Sequence, residues 1–134
     1  MAVPEALVAR VVGEVSRQLS DPQYTQLAVG RFVESQPQVS RFLSARASTI
    51  GGEAVIVAAF HAELVSECLR RHWARSELPL IGFAELDAAA VDSVERLAAQ
   101  EPALANYLAT NVEGDPLREV LALVALALHD ALEG

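Results

Sequence analysis

Residues 116–133 read Pro-Leu-Arg-Glu-Val-Leu-Ala-Leu-Val-Ala-Leu-Ala-Leu-His-Asp-Ala-Leu-Glu, and within them Val120–Leu128 is an unbroken run of nine apolar residues. A helix that is apolar on every side has to be buried on every side. Nine residues nevertheless fall well short of the roughly 17–25 that a bilayer-crossing helix requires. The run therefore predicts a central helix, from Pro116 to near the end of the sequence, inside an all-α bundle. Either the rest of the chain surrounds it or a second copy covers part of it.

The best candidate to lie beside it is the helix predicted over Glu53–Trp73, which holds the other long apolar run, Ala54–Phe60. Ala54, Ala58, Ala59 and Ala62 on one helix, with Ala122, Ala125 and Ala127 on the other, would let the two backbones pack closely. Upstream, Leu7, Val8, Val11, Val12, Val15 and Leu19 recur at helical spacing, so Pro4–Leu19 reads as an amphipathic helix. Asp21-Pro22 reads as a cap followed by a helix-opening proline. The helix it starts runs to about Ser35 and is expected to bury Leu27, Phe32 and Val33. Ser35-Gln36-Pro37-Gln38 has the pattern of a capping box, and a short helix bearing Val39, Phe42 and Leu43 follows. Gly51-Gly52 breaks the chain before the long helix.

Residues 75–86 are irregular but apolar, with Leu78, Leu80, Ile81 and Phe83, and are expected to lie against the core. Asp87 is expected to cap a helix to Gln100, Pro102 to open one to about Val112, and Gly114-Asp115-Pro116 to restart the chain. The result is six to seven helices in a single domain.

The two halves resemble each other. Offsetting Val29–Leu43 by 65 onto Val94–Leu108 pairs Val29 with Val94, Arg31 with Arg96, Pro37 with Pro102 and Leu43 with Leu108. It also pairs Phe32 with Leu97, Val39 with Leu104 and Phe42 with Tyr107. A repeat with the same order of breaks suggests two similar units, about 21–73 and 87–133, related by pseudo-twofold symmetry, plus an N-terminal helix.

The chain of 134 residues has 24 Ala, 18 Leu, 16 Val, ten Arg, no Lys and a net charge of −8. Such acidity disfavours phosphate backbones and anionic membrane surfaces. It is unevenly spread: residues 1–75 hold eight Arg and seven acids, while residues 76–134 hold two Arg and eleven acids. No basic, apolar leader opens the sequence and Cys68 is the only cysteine, so a cytoplasmic protein without disulfides is expected.

Chemistry-bearing patterns are sparse. His61, Cys68 and His72 are spaced by seven and four on nearly one helix face, and Cys68 with His72 offers two ligands to zinc or copper. His129 on the other long helix and the nearby Glu63 and Glu67 would have to complete such a site. One face offers only half of a metal site, so a buried thiol with histidines at the core edge is the preferred reading. Arg70, Arg71 and Arg75 form the one basic cluster, either an anchor for an acidic partner or compensation of the helix dipole. Phosphate-loop, hydrolase and metalloprotease fingerprints are absent. The sequence thus points to a non-enzymatic protein-interaction module (adaptor, accessory subunit or regulator) without a cofactor, whose surplus of apolar surface makes it homodimeric in expectation. The alternatives are a metal- or small-molecule-binding bundle and an acidic inhibitor of a protein with a basic surface.

Overall fold

The computed structural model describes residues 2–134. In chain order the helices are α1 (Glu5–Gln18), α2 (Tyr24–Ser35), α3 (Pro37–Ser44), α4 (Ala47–Ile50), α5 (Gly52–His72), α6 (Phe83–Ala89), α7 (Ser93–Gln100), α8 (Pro102–Asn111) and α9 (Asp115–Glu133). The fold is an all-α bundle, and no helix among the described residues is long and apolar enough to cross a membrane.

The apolar run forms the centre of the bundle. Val124 to His129 are buried without interruption on α9, and α5, α6, α7 and α8 all pack on that helix. The chain surrounds its own apolar helix, so this run does not require a second copy to cover it. Opposite it, Ala58, Ala59 and Ala62 are buried on α5. Small side chains of this kind allow interaxial separations near the short end of the usual ~8–10 Å.

Both central helices start from a glycine with positive φ, Gly51 at 95° and Gly114 at 92°, where an L side chain would be strained. The surrounding helices pack in matching order. α1, α2 and α3 contact α5, while α6, α7 and α8 contact α9. Contacts also cross between the halves, α1 to α8 and α3 to α6. The N-terminal helix, expected to lie outside the two units, packs on α5 and α8.

Among the described residues nine helices stand where six to seven were expected, because two stretches without proline or a long apolar stripe form short helices, α4 and α6. Asp87, expected as a cap, lies inside α6. The break falls instead at Asp92, which adopts a left-handed φ of 52°, a conformation Asp tolerates better than most residues. Arg96 holds this corner by donating to the Ala88 and Val91 carbonyls at 3.3 and 3.0 Å.

Three local expectations are also corrected. Asp21 does accept a hydrogen bond from the Gln23 N–H at 2.9 Å, but the helix begins later, at Tyr24. The Ser35–Gln38 capping box does not form, since Gln36 is the N-cap and Ser35 Oγ donates back to the Phe32 carbonyl. On α2, Ala28 and Phe32 are the buried pair. That stripe turns Leu27 outward, 63% exposed, and leaves Val33 at the surface too.

The non-helical segment 78–82 lies against the core through Ile81 and the half-buried Leu78, whereas Leu80 and Phe83, expected there too, are exposed. Gln36 clasps it at two points: its Nε2 donates to the Pro79 carbonyl at 2.8 Å, and its Oε1 accepts from the Ile81 N–H at 3.2 Å.

Candidate functional site

The long helix α5 carries Glu63, Glu67, Arg70 and Arg71 at spacings of four, seven and eight, which places them on one stripe. Two neighbouring helices add to it: Glu14 comes from α1, and Tyr24 and Arg31 from α2. All of these except Arg70, which stands beside Glu63 and Glu67, line a cleft of about 150 Å³ between the three helices, with Phe60 on its apolar side. Ligand pockets for drug-sized molecules are typically ~300–1,000 Å³, so this one suits a much smaller guest.

The charged groups are closely paired. Arg70 Nη2 donates to Glu63 Oε2 at 2.6 Å and to Glu67 Oε1 at 2.8 Å, and its Nε reaches the same Glu67 oxygen at 3.0 Å. Arg71 Nε donates to Glu67 Oε2 at 2.8 Å, while its two terminal nitrogens hold Glu14 at 3.1 and 2.7 Å. That two-pronged contact suits the planar guanidinium fork. Arg31 Nη1 stands 3.7 Å from Glu63 Oε2.

The three carboxylates sit in different surroundings. Hydrogen bonding to Arg71 holds Glu14 below its ordinary value. Burial pushes Glu67 up, but the hydrogen bonds and charges of Arg70 and Arg71 outweigh it and hold the carboxyl low. At Glu63 burial prevails over the same kind of help from Arg70, and the carboxyl is raised. Its side chain is 5% exposed, and its buried Oε1 has no hydrogen-bond partner among the described residues.

Arg70 and Arg71, read from sequence as a partner anchor or as dipole compensation, are therefore committed to acids of the chain itself. They also occupy the last turn of α5, where a cation offsets the helix dipole. Arg75 lies exposed just beyond the helix, its N–H bonded to the Arg70 carbonyl at 2.8 Å.

The structure does not bring His61, Cys68 and His72 together as one ligand set. His61 Nδ1 lies 2.7 Å from Tyr107 Oη on α8, and burial lowers the imidazole's affinity for a proton. Cys68 is fully buried, with its thiol pushed up to about 12 by burial, far from the thiolate a metal or an electrophile would need. His72 meets Trp73 edge-on, with ring centres 6.0 Å apart. Among the described residues no group of three or more His, Cys, Asp or Glu side chains is placed to hold a metal ion.

Sequence reasoning missed Glu101, which is 0% exposed. Its Oε1 accepts from the Val3 N–H at 2.8 Å, and its Oε2 lies 2.9 Å from His129 Nδ1. The signal that points to it is positional: Glu101 precedes Pro102 as Gln36 precedes Pro37, at the same offset of 65. The chain matches no family model, no curated protein and no solved structure.

Proposed function

We propose that the chain is a non-enzymatic protein-interaction module that works in the cytoplasm as a homodimer, as an adaptor, accessory subunit or regulator does. The observation that carries this reading is a set of large apolar side chains at the surface of the first half. Leu27 on α2, with Ile56 and Val57 on α5, is exposed, and the two helices pack on each other. Ala28 and Phe60, on the same two helices, line one cleft, and we read the three exposed side chains as parts of one region. Exposed apolar side chains grouped in this way mark surfaces that another protein covers.

Charge favours a second copy as the occupant. Residues 1–75 carry a net +1 and residues 76–134 a net −9. Two copies meeting through their first halves keep the acidic halves apart, whereas meeting through the second halves would oppose like charges. Light scattering on the eluting protein tests the reading. A mass of twice 14.3 kDa is expected at micromolar concentration, returning to 14.3 kDa when Leu27→Glu and Ile56→Glu are combined. A monomeric wild-type chain overturns it.

The acidic second half favours one other reading, inhibition of a protein with a basic surface. Its mark is partner binding that collapses with added salt.

The two halves are read as an internal duplication. In support, Gln36 and Glu101 share one backbone conformation, and the amide bonds Gln36 to Phe32 and Glu101 to Leu97 recur at the same offset.

A further inference from the structure

We infer that the open groove between α7 and α9 docks a basic amphipathic helix from another protein. Val120 and Leu123, three residues apart on α9, are half-buried in this groove, and Val94 of α7 lines it while 43% exposed. Val91, set between the lining residues Ala90 and Asp92, is 66% exposed. The acids around this apolar strip select the charge of what covers it. Asp92, Glu95 and Glu119 line the groove and are exposed, and none of them is in an ion pair among the described residues. Against them the lining holds Arg46, whose guanidinium stacks on the Phe42 ring 3.6 Å from its centre. The arginines of the same two helices do not alter the balance, since Arg96 is set against Asp130 and Arg118 against Asp115. Three acids against one arginine leave two negative charges in excess.

Lys and Arg suit such a rim, because their aliphatic stems lie along apolar surface while their charged ends reach the acids. The groove runs between two helices, and among the described residues there is no strand edge for an extended peptide to join. An amphipathic helix laid into the groove is the recognition mode that remains. A second copy of this chain is the wrong occupant. Through the same groove it would set Asp92, Glu95 and Glu119 against themselves, and the Arg70 and Arg71 of its α5 are already held by acids of their own chain. The inference rests on the reading of the chain as an interaction module, but not on the dimer, which uses α2 and α5.

The probe is a capped peptide of about sixteen residues, long enough to form a helix, with leucines along one face and lysines beside them. Titration followed by amide chemical shifts is expected to give saturable shifts centred on residues 90–95 and 119–123. A dissociation constant on the order of 10 µM is expected, weakening about fivefold between roughly 50 and 300 mM salt. Asp92→Asn, Glu95→Gln and Glu119→Gln combined are expected to weaken binding about tenfold, and Asn is at ease in the left-handed conformation of residue 92. Val94→Asp is the sharper variant, and it decides the matter should the triple variant fail to fold. It adds negative charge at an exposed site, so attraction by charge alone would tighten binding, whereas a helix seated on the apolar strip is expected to bind several-fold more weakly. No saturable shift at about 1 mM peptide, equal binding of a peptide with its leucines dispersed around the helix, or tighter binding by Val94→Asp overturns the inference. Light scattering on the same samples keeps the two readings apart. A monomer that binds the peptide at this groove upholds the inference and overturns the dimer, and a dimer that ignores the peptide does the reverse.

Discussion

Gln36 and Glu101 stand 65 residues apart with the same backbone angles, φ −136° and ψ 69°, each buried and each directly before a helix-opening proline. A residue before proline is kept out of the α region, so both corners stop one helix and start the next without a loop. Each side chain then reaches for the non-helical segment ahead of the other half's first helix. Gln36 holds Pro79 and Ile81 ahead of α6, and Glu101 holds Val3 ahead of α1. Gln36 and Glu101 thus latch the two halves to each other.

Both latches carry a cost. Glu101→Ala leaves the Val3 N–H and the buried His129 Nδ1 without the carboxyl they share, for about 1–3 kcal/mol per buried group left unmet. Gln36→Ala leaves two backbone groups short of a partner, for about 1–3 kcal/mol per buried group left unmet. Urea unfolding monitored at helical circular dichroism measures both. A Glu101→Ala loss under about 1 kcal/mol would mean that the latch is slack.

The interior and the surface of α2 and α9 should respond very differently to truncation. Leu126 is fully buried at the centre of the bundle, and Leu126→Ala is expected to cost about 2–5 kcal/mol through lost burial and the cavity left behind. Leu27→Ala is expected to change monomer stability by no more than ~0.5 kcal/mol. Any larger loss at Leu27 that grows with protein concentration reports a dimer, because truncation would then remove interface area.

The central helix was legible because an all-round apolar run needs no register to be recognised as interior. α2 was not, since one-residue rotations of its stripe exchange Leu27 for Ala28, and only the packing on α5 selects between them. The break at Asp92 was hidden for a different reason. It depends on a left-handed residue and on Arg96 bonding back to Ala88 and Val91, with neither glycine nor proline to announce it. Glu101 and Val3 are 98 residues apart, and local pattern carries no trace of such a contact. At the cleft, the spacing of Glu63, Glu67, Arg70 and Arg71 put them on one face. That Glu63 keeps an oxygen without a donor follows only from where α1 and α2 come to rest.

Cys68 should be inert while the protein is folded. Its thiol is fully buried and pushed up to about 12 by burial, whereas disulfide reagents attack through the thiolate. An aromatic disulfide reagent at pH 8 is expected to label no more than a small fraction of the native protein over minutes and one thiol per chain in denaturant. Rapid stoichiometric labelling of the native chain would contradict the burial.

The cleft predicts opposite pH responses from its own acids. Glu14 and Glu67 are held below 4.5 by their arginines. Their contribution to stability is complete above that value and is lost as pH falls through the lower folded-state values. Glu63 is held above 4.5 by burial, so the fold favours its protonated form. Its contribution is complete below 4.5 and declines as pH rises through the raised value. Melting temperatures between pH 3 and pH 7 separate the two. Glu14→Gln is expected to shrink the loss of stability below pH 4.5, because one acid that must be protonated there is gone. Glu63→Gln, fixed in a neutral form, is expected to leave the acid limb nearly unchanged and to remove the decline on the other side of 4.5. Parallel pH profiles for wild type and Glu63→Gln would mean that the carboxyl ionises as freely in the fold as in the unfolded chain.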